Sequence, residues 1–393
     1  MTAMKVLLLA PHPFFQERGT PIAVDLLLQA LSAQGHAVDL LTWHLGDDRA
    51  YPGVTLHRIP RIPGLRAIRP GFSAAKLVCD AVMTLKALRL ACRTRYDIVH
   101  AVEESAFMAL LIRALRGTPF VFDMDSSMPL QIVEKSPGVR FLLPLLKRFE
   151  AAAIRRAIAV AAVCESLADL ARAAGARQVE LLRDVSLLPA EVDPAAVPPA
   201  FTLPGLVFLY VGNLEHYQGL DLLLESFTRA RGTRRDLSLA IAGGTAADIA
   251  RYTAQAGALG VGDSVRFLGP RPLAEMAALF AGAQVLVSPR ISGNNTPMKI
   301  YSYLDSGKPV LATDLPTHTQ VLTPDVALLA PPEPAAFAAA MLRLADDPAL
   351  RLALGARGRA LAQSAYSRPA YRAAALRLYD RLEHALLPAA RRR

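Results

Sequence analysis

A chain of 393 residues, 53% apolar and 20% charged, excludes intrinsic disorder and predicts two or three domains with large cores. A net charge of +10 accompanies only 6% aromatic residues, with no basic-aromatic interleaving, which argues against nucleic acid as a partner. Cys79, Cys92 and Cys164 lack metal-ligand spacing and fit a reducing cytosol, and no stretch of about 18 uncharged apolar residues predicts a membrane span.

Residues 1–10 carry one Lys and too short an apolar run for a signal peptide, so Lys5 to Ala10 reads as a buried first strand. A loop from Pro11 to Pro21 follows, in which Gly19 permits close backbone approach to a ligand. Apolar residues at helical spacing run from Ile22 to Ala33, Gly35 closes that helix, and Val38 to Thr42 is the second strand. The loop lacks GxGxxG, so a dinucleotide site is not indicated. From residue 58 to 95, Arg58, Arg61, Arg66, Arg69, Lys76, Lys86, Arg89, Arg93 and Arg95 face a single acid, Asp80. Val78, Val82, Leu85 and Leu88 share that stretch, predicting a basic amphipathic helix suited to an anionic membrane surface or to solvent. Two further strands deliver acids to the same sheet edge: residues 97–105 bring Glu103 and Glu104, and residues 119–127 bring Asp123 and Asp125. Asp125, Asp123 and Glu103 are therefore candidate catalytic residues, for proton transfer or hydroxyl binding. No His joins them at ligand spacing, so no metal is expected. Their alternative role is helix capping, which also suits Ser126 and Ser127.

Pro189, Pro194, Pro198, Pro199 and Pro204 mark residues 187–204 as a linker. It divides a first domain, 1–186, from a second, 205–368, in which β-α alternation restarts at Leu206. A last helical segment, 369–393, is placed to cross back to the first domain. The most informative stretch runs from Ser288 to Thr313. An apolar strand, Ala283 to Val287, leads into a polar loop, and a helix opens at Thr296-Pro297. Its N-terminus, flanked by Arg290 and Lys299, would face an anion beyond the carboxyl edge of a parallel sheet.

Taken together, these pieces resemble the retaining family 4 glycosyltransferases (glycosyl transferases group 1) of GT-B fold. The resemblance spans nearly the whole chain. It rests on the Gly19 loop, Gly35-His36-Ala37-Val38, residues 97–100 (Asp-Ile-Val-His), residues 209–224 (from Leu209-Tyr-Val-Gly-Asn), Ala242-Gly243-Gly244, residues 265–269 and residues 306–313. It implies an α/β fold of two Rossmann-like, doubly wound parallel-sheet domains facing a cleft. It also implies a nucleotide-sugar donor on the C-terminal domain, an acceptor on the N-terminal domain, and a leaving diphosphate stabilised without a metal. By position, Gly212 meets the diphosphate, Leu268 and its neighbours meet the base, and Gly19 with Thr20 border sugar and acceptor.

The chain also departs from that pattern. Asn213 and Gln218 stand where an Arg and a Lys are usual, Asn294 and Ser302 replace a pair of Glu residues separated by seven, and Asp125 replaces a His. Arg290 and Lys299 are the candidates to restore the positive charge. Asn294, Asn295 and Ser302 are the candidates for sugar or ribose hydroxyls, with Thr296 at the phosphate oxygens. The expected activity is retaining transfer from a nucleotide sugar to a lipid-linked, polysaccharide or glycolipid acceptor, in the cytoplasm or peripherally on the inner face of the plasma membrane. The competing readings are a binding protein that has lost turnover and a sugar-nucleotide epimerase-like enzyme on the same fold.

Overall fold

A computed structural model describes residues 3–17, 19–65, 73–135, 137–189, 197–293 and 295–386. It divides into two units, one of Met1–Arg183 with Pro369–Arg393 and one of Asp184–Arg368. Asn294, Arg66, Arg69 and residues 190–196 of the Pro-rich stretch lie outside the described residues.

The first unit alternates strand and helix. In order it contains β1 (Lys5–Ala10), α1 (Gly19–Ala33), β2 (Ala37–Thr42), β3 (Val54–Arg58), α2 (Ala74–Arg93), β4 (Ile98–Val102), α3 (Ser105–Arg116), β5 (Phe120–Met124), α4 (Met128–Lys135), α5 (Leu143–Arg156), β6 (Ala159–Ala162), α6 (Glu165–Ala173) and β7 (Val179–Leu181). The strands form one parallel sheet in the order β3-β2-β1-β4-β5-β6-β7. Their near-continuous apolar runs follow from helices covering both faces. The order reverses between β1 and β4, so their carboxyl ends flank the crevice where ligands bind in such sheets. Within the basic segment 58–95, residues 74–93 form α2, whose start is capped by Ser73 accepting from the Lys76 N–H.

The second unit contains β8 (Leu206–Val211), α7 (Leu220–Thr233), β9 (Leu237–Ala242), α8 (Ala246–Ala258), β10 (Val265–Gly269), α9 (Met276–Ala281), β11 (Val285–Ser288), α10 (Lys299–Asp305), β12 (Val310–Thr313), α11 (Pro316–Thr319), β13 (Leu328–Ala330), α12 (Pro334–Asp346) and α13 (Pro348–Ala365). Its sheet is parallel in the order β10-β9-β8-β11-β12-β13, with the reversal between β8 and β11. Two-residue periodicity sorts β8 between two cores: Phe208 and Tyr210 enter one, Val207 and Leu209 the other. Within the Pro-rich segment Leu188 is buried in the second of these cores, and Val197, Phe201 and Leu203 pack against it. The described part of that segment is thus laid down on the second unit.

The last helix, α14 (Arg368–Leu386), belongs with the first unit from Pro369 onward. Tyr379 is fully buried there and its hydroxyl meets His100 Nδ1 at 2.9 Å. Arg377 and Arg381 both engage Glu180.

One local expectation is corrected. The helix expected to open at Thr296 begins at Lys299, with Met298 at the cap position and no side-chain cap bond. The Ile300 N–H donates instead to the Pro297 carbonyl, a tighter i→i+3 turn that delays the helix.

Candidate functional site

The clearest site in the second unit lies at the carboxyl ends of β8 and β11. The chain leaves β8 through Gly212, whose φ of 150° is costly for a side chain. A Cβ there would lie 2.9 Å from Tyr210 Oη and 3.2 Å from Lys299 Nζ. Lys299, the first residue of α10, donates to Gln218 Oε1 at 3.3 Å, and its ammonium sits 3.9 Å from the centre of the Tyr210 ring. Lys299 forms no ion pair with a carboxylate among the described residues. Burial first, and then the charge of Arg290, hold its pKa well below the usual lysine range.

Arg290 follows β11 and is buried. Its guanidinium donates to the Ser292 carbonyl at 2.7 Å, to the Asn295 carbonyl at 3.3 Å and to Asn295 Oδ1 at 3.2 Å. It also lies over Tyr217, 5.1 Å from the ring centre. Gly293 makes this wrap possible, because a Cβ there would fall 2.2 Å from Arg290 Nη2.

Behind the two cations sits a neutral, fully buried network. His318 lies 2.8 Å from Ser288 Oγ through Nε2 and 3.0 Å from the Thr313 carbonyl through Nδ1. A carbonyl can only accept, so Nδ1 carries the proton and Nε2 accepts from Ser288. Burial, aided by Lys299 and Arg290, pushes the His318 pKa down to about 3. Thr313 in turn donates to the Arg290 carbonyl, and Thr317 to the Asn295 carbonyl at 2.7 Å. A rigid neutral scaffold thus holds two like charges together. That arrangement is set to receive an anion.

In the first unit, β5 brings Asp123 to His100: its carboxylate lies 3.1 Å from Nε2, while Nδ1 meets the buried Tyr379 hydroxyl. Glu103 leaves β4 in a left-handed conformation, φ 50°, rare for a residue with a side chain, and accepts from Ser126 at 2.9 Å. Asp125 is half-buried just past the end of β5.

The expected residues therefore divide into several groups. Gly212, Gln218, Arg290, Asn295 and Lys299 come together. Asn213 is exposed beside them, its carbonyl accepting from Tyr210 at 2.6 Å and its amide 3.4 Å from Tyr217. Thr296 is buried, and its hydroxyl has no partner among the described residues. Ser302 points into the core, where it accepts from the Leu187 N–H at 2.9 Å. Leu268 lies at the end of β10, two strands from β8, and its carbonyl accepts from Arg271. Gly19 and Thr20 form the first turn of α1. A Cβ at Gly19 would stand in open space, so packing there does not demand glycine. Sequence reasoning missed Tyr210, Tyr217, Ser288 and His318. Tyr210, near the exit of a strand and one residue from the Val211-Gly212 turn, was the available signal.

Comparison with known proteins agrees with this geometry. Residues 205–347 match the family model described as glycosyl transferases group 1, and residues 18–183 match the glycosyl transferase 4-like domain. Two successive matches of this kind, on two parallel-sheet units, decide the matter. The chain is a GT-B glycosyltransferase. This glycosyltransferase is 27% identical over 363 residues to phosphatidyl-myo-inositol mannosyltransferase of Mycobacterium leprae, covering 88% of the chain and 89% of the relative. It is also 27% identical over 323 residues to 2-deoxystreptamine glucosyltransferase of Streptomyces kanamyceticus, covering 76% and 81%. Among solved structures it is similar in fold to sucrose-phosphate synthase of Thermosynechococcus elongatus, with a TM-score of 0.78, 20% identity and coverage of 97% and 100%. Anabaena HepE in complex with UDP and glucose matches with a TM-score of 0.70, 15% identity and the same coverage.

Proposed function

We propose that this glycosyltransferase moves a sugar from a nucleoside diphosphate donor to a lipid-linked, polysaccharide or glycolipid acceptor, with retention of anomeric configuration. The observation that carries the donor is the placement of Lys299. Its ammonium stands against Gln218 and Gly212, so the charge that Gln218 lacks is delivered from α10. Lys299 and Arg290 would neutralise the diphosphate as it leaves, and stabilising that developing charge is the main lever on the barrier. These side chains supply the positive charge in this reading, and no resident metal is invoked. HepE, a structural neighbour, is solved with UDP and with UDP-glucose, which supports a nucleotide-sugar donor. On the acceptor side, Glu103 and Asp125 at the strand ends are the groups proposed to meet the acceptor hydroxyl. Asp123 is already engaged with His100 and is assigned to holding β4, β5 and α14 in place.

The lipid side of the reading is supported by the relative that acts on phosphatidyl-myo-inositol and by one face of the first unit. Phe141, Leu145 and Phe149 are exposed on and just before α5, beside exposed Arg140, Lys147 and Arg148. An apolar stripe with basic flanks suits the headgroup layer of an anionic membrane. No helix among the described residues is long and apolar enough to cross a membrane, so the proposed association is peripheral, on the cytoplasmic face. Flotation with anionic liposomes tests it, and failure to float at low salt would remove it.

The donor is tested by thermal shift with UDP, GDP, ADP and dTDP, since a ligand at 100 times its Kd adds about 2.7 kcal/mol. Retention is tested by NMR of the product anomer. Binding without turnover against any acceptor would favour the binding-protein reading, which the uncharged Asn213 and Gln218 keep in play.

A further inference from the structure

The first unit holds a cavity of about 330 Å³ among α2, α3, α4 and α5 and the ends of β4 and β5. Its walls are mainly apolar, with Leu77, Phe107, Leu111, Met128 and Ile132 contributing. Four carboxylates also line it: Asp80 on α2, Glu103 and Glu104 at the exit of β4, and Glu150 on α5. Among the described residues Lys76 is the one basic lining residue; it pairs with Glu104 at 2.6 Å, and its charge also acts on Glu103 and Asp80. The other three acids are met by neutral donors. Trp43 Nε1 donates to Asp80 at 3.2 Å, Ser126 to Glu103 at 2.9 Å and Ser127 to Glu150 at 3.0 Å.

We propose that this cavity binds a cationic amphiphile, its ammonium group against Asp80, Glu103 and Glu150 and its hydrocarbon body between Leu77, Phe107, Leu111 and Ile132. Charge complementarity argues for the occupant. Four acids line one apolar space against a single lining lysine among the described residues, and an ammonium with a hydrocarbon tail satisfies both the rim and the walls. The same burial that makes the space apolar raises the pKa of Asp80 to about 6 and of Glu150 to about 7, so both acids gain from a cation entering. The site shares Glu103 with the proposed acceptor side and is separate only from the proposed donor chemistry, whose Lys299 and Arg290 lie in the other unit.

Trp43 is the only tryptophan, and its contact with Asp80 makes its fluorescence a reporter for this cavity. The full-length protein is titrated with decylammonium, decanol and decanoate below their micellar concentrations. Saturable binding is expected, with decylammonium tighter than decanol by about ten-fold, as one charge-assisted contact implies, and decanoate weaker than both. Glu103→Gln narrows the preference for the amine, and Ala81→Phe, which fills the space beside Leu77, weakens all three probes. Equal affinities for the three would overturn the proposal. So would the absence of saturable binding by a folded sample, or binding unaffected by Ala81→Phe.

Discussion

Replacing Lys299 by Met keeps the hydrocarbon stem over Tyr210 and removes only the charge. If that charge contacts the donor diphosphate, its loss costs about 1.5–3 kcal/mol, the range for a charge-assisted hydrogen bond. The dissociation constant of the nucleoside diphosphate should then rise between about ten-fold and one hundred-fold. The unliganded protein should respond in the opposite direction. Burial and the charge of Arg290 both oppose protonation of Lys299, so its folded-state pKa lies below that of the unfolded chain. Between the two values the unfolded state binds more protons, and stability rises with pH. At neutral pH the penalty is therefore present, and the Met variant should melt higher. Each 1 kcal/mol relieved raises Tm by about 2–4 °C for a unit of this size. Calorimetric titration with the preferred nucleoside diphosphate, alongside melting curves without ligand, measures both effects. An unchanged Kd would remove Lys299 from the site, and a lower apo Tm would refute the account of its electrostatics.

Other predictions concern the scaffold. Gly293→Ala puts a methyl on the Arg290 guanidinium at a φ of +121°, so donor affinity should fall at least about ten-fold for a lost charge-assisted contact; a fold that survives with full affinity would show that the wrap is dispensable. His318 has its pKa depressed to about 3, so it contributes stability above the unfolded value near 6.5 that is lost as pH falls toward about 3. His318→Asn should flatten that acid limb, read by melting temperature against pH. Glu150 works the other way, since a carboxyl raised to about 7 stabilises at low pH and loses that contribution as pH rises from about 4.5 to 7. Glu150→Gln should therefore raise Tm at pH 8 and leave it nearly unchanged at pH 4. In the proposed donor chemistry Lys299 and Arg290 supply the positive charge, so transfer should persist in EDTA, and abolition restored by a divalent ion would contradict it.

Much of this protein follows from its sequence. Branched apolar runs such as Lys5–Ala10 and Leu206–Val211 can be buried on both faces only in a parallel sheet, and the helices between them dictate α/β units. The matching order of short pieces around Gly212, Ala242-Gly243-Gly244 and residues 306–313 identified the GT-B fold, and Arg290 with Lys299 stood out as charges in a polar loop. Side-chain direction was harder to read. Ser302 lies three residues after Lys299, yet the short helix turns its hydroxyl inward to the Leu187 N–H. The entry to α10 was misplaced because Thr-Pro signals a helix start, whereas Pro297 closes a tighter turn first.

The tertiary structure alone decided which distant groups meet. Lys299 reaches Gln218 across 81 positions, and His100 reaches Tyr379 across 279. Both contacts depend on which strands become neighbours: β11 beside β8 in one sheet, and β4 at the reversal of the other. The acid-lined cavity has the same origin, since Asp80, Glu103 and Glu150 come from three elements brought together only by packing. Local propensity and period are encoded residue by residue and can be read along the chain. Desolvation, and the pairing or opposition of charges that it magnifies, exists only once those elements close around a common space.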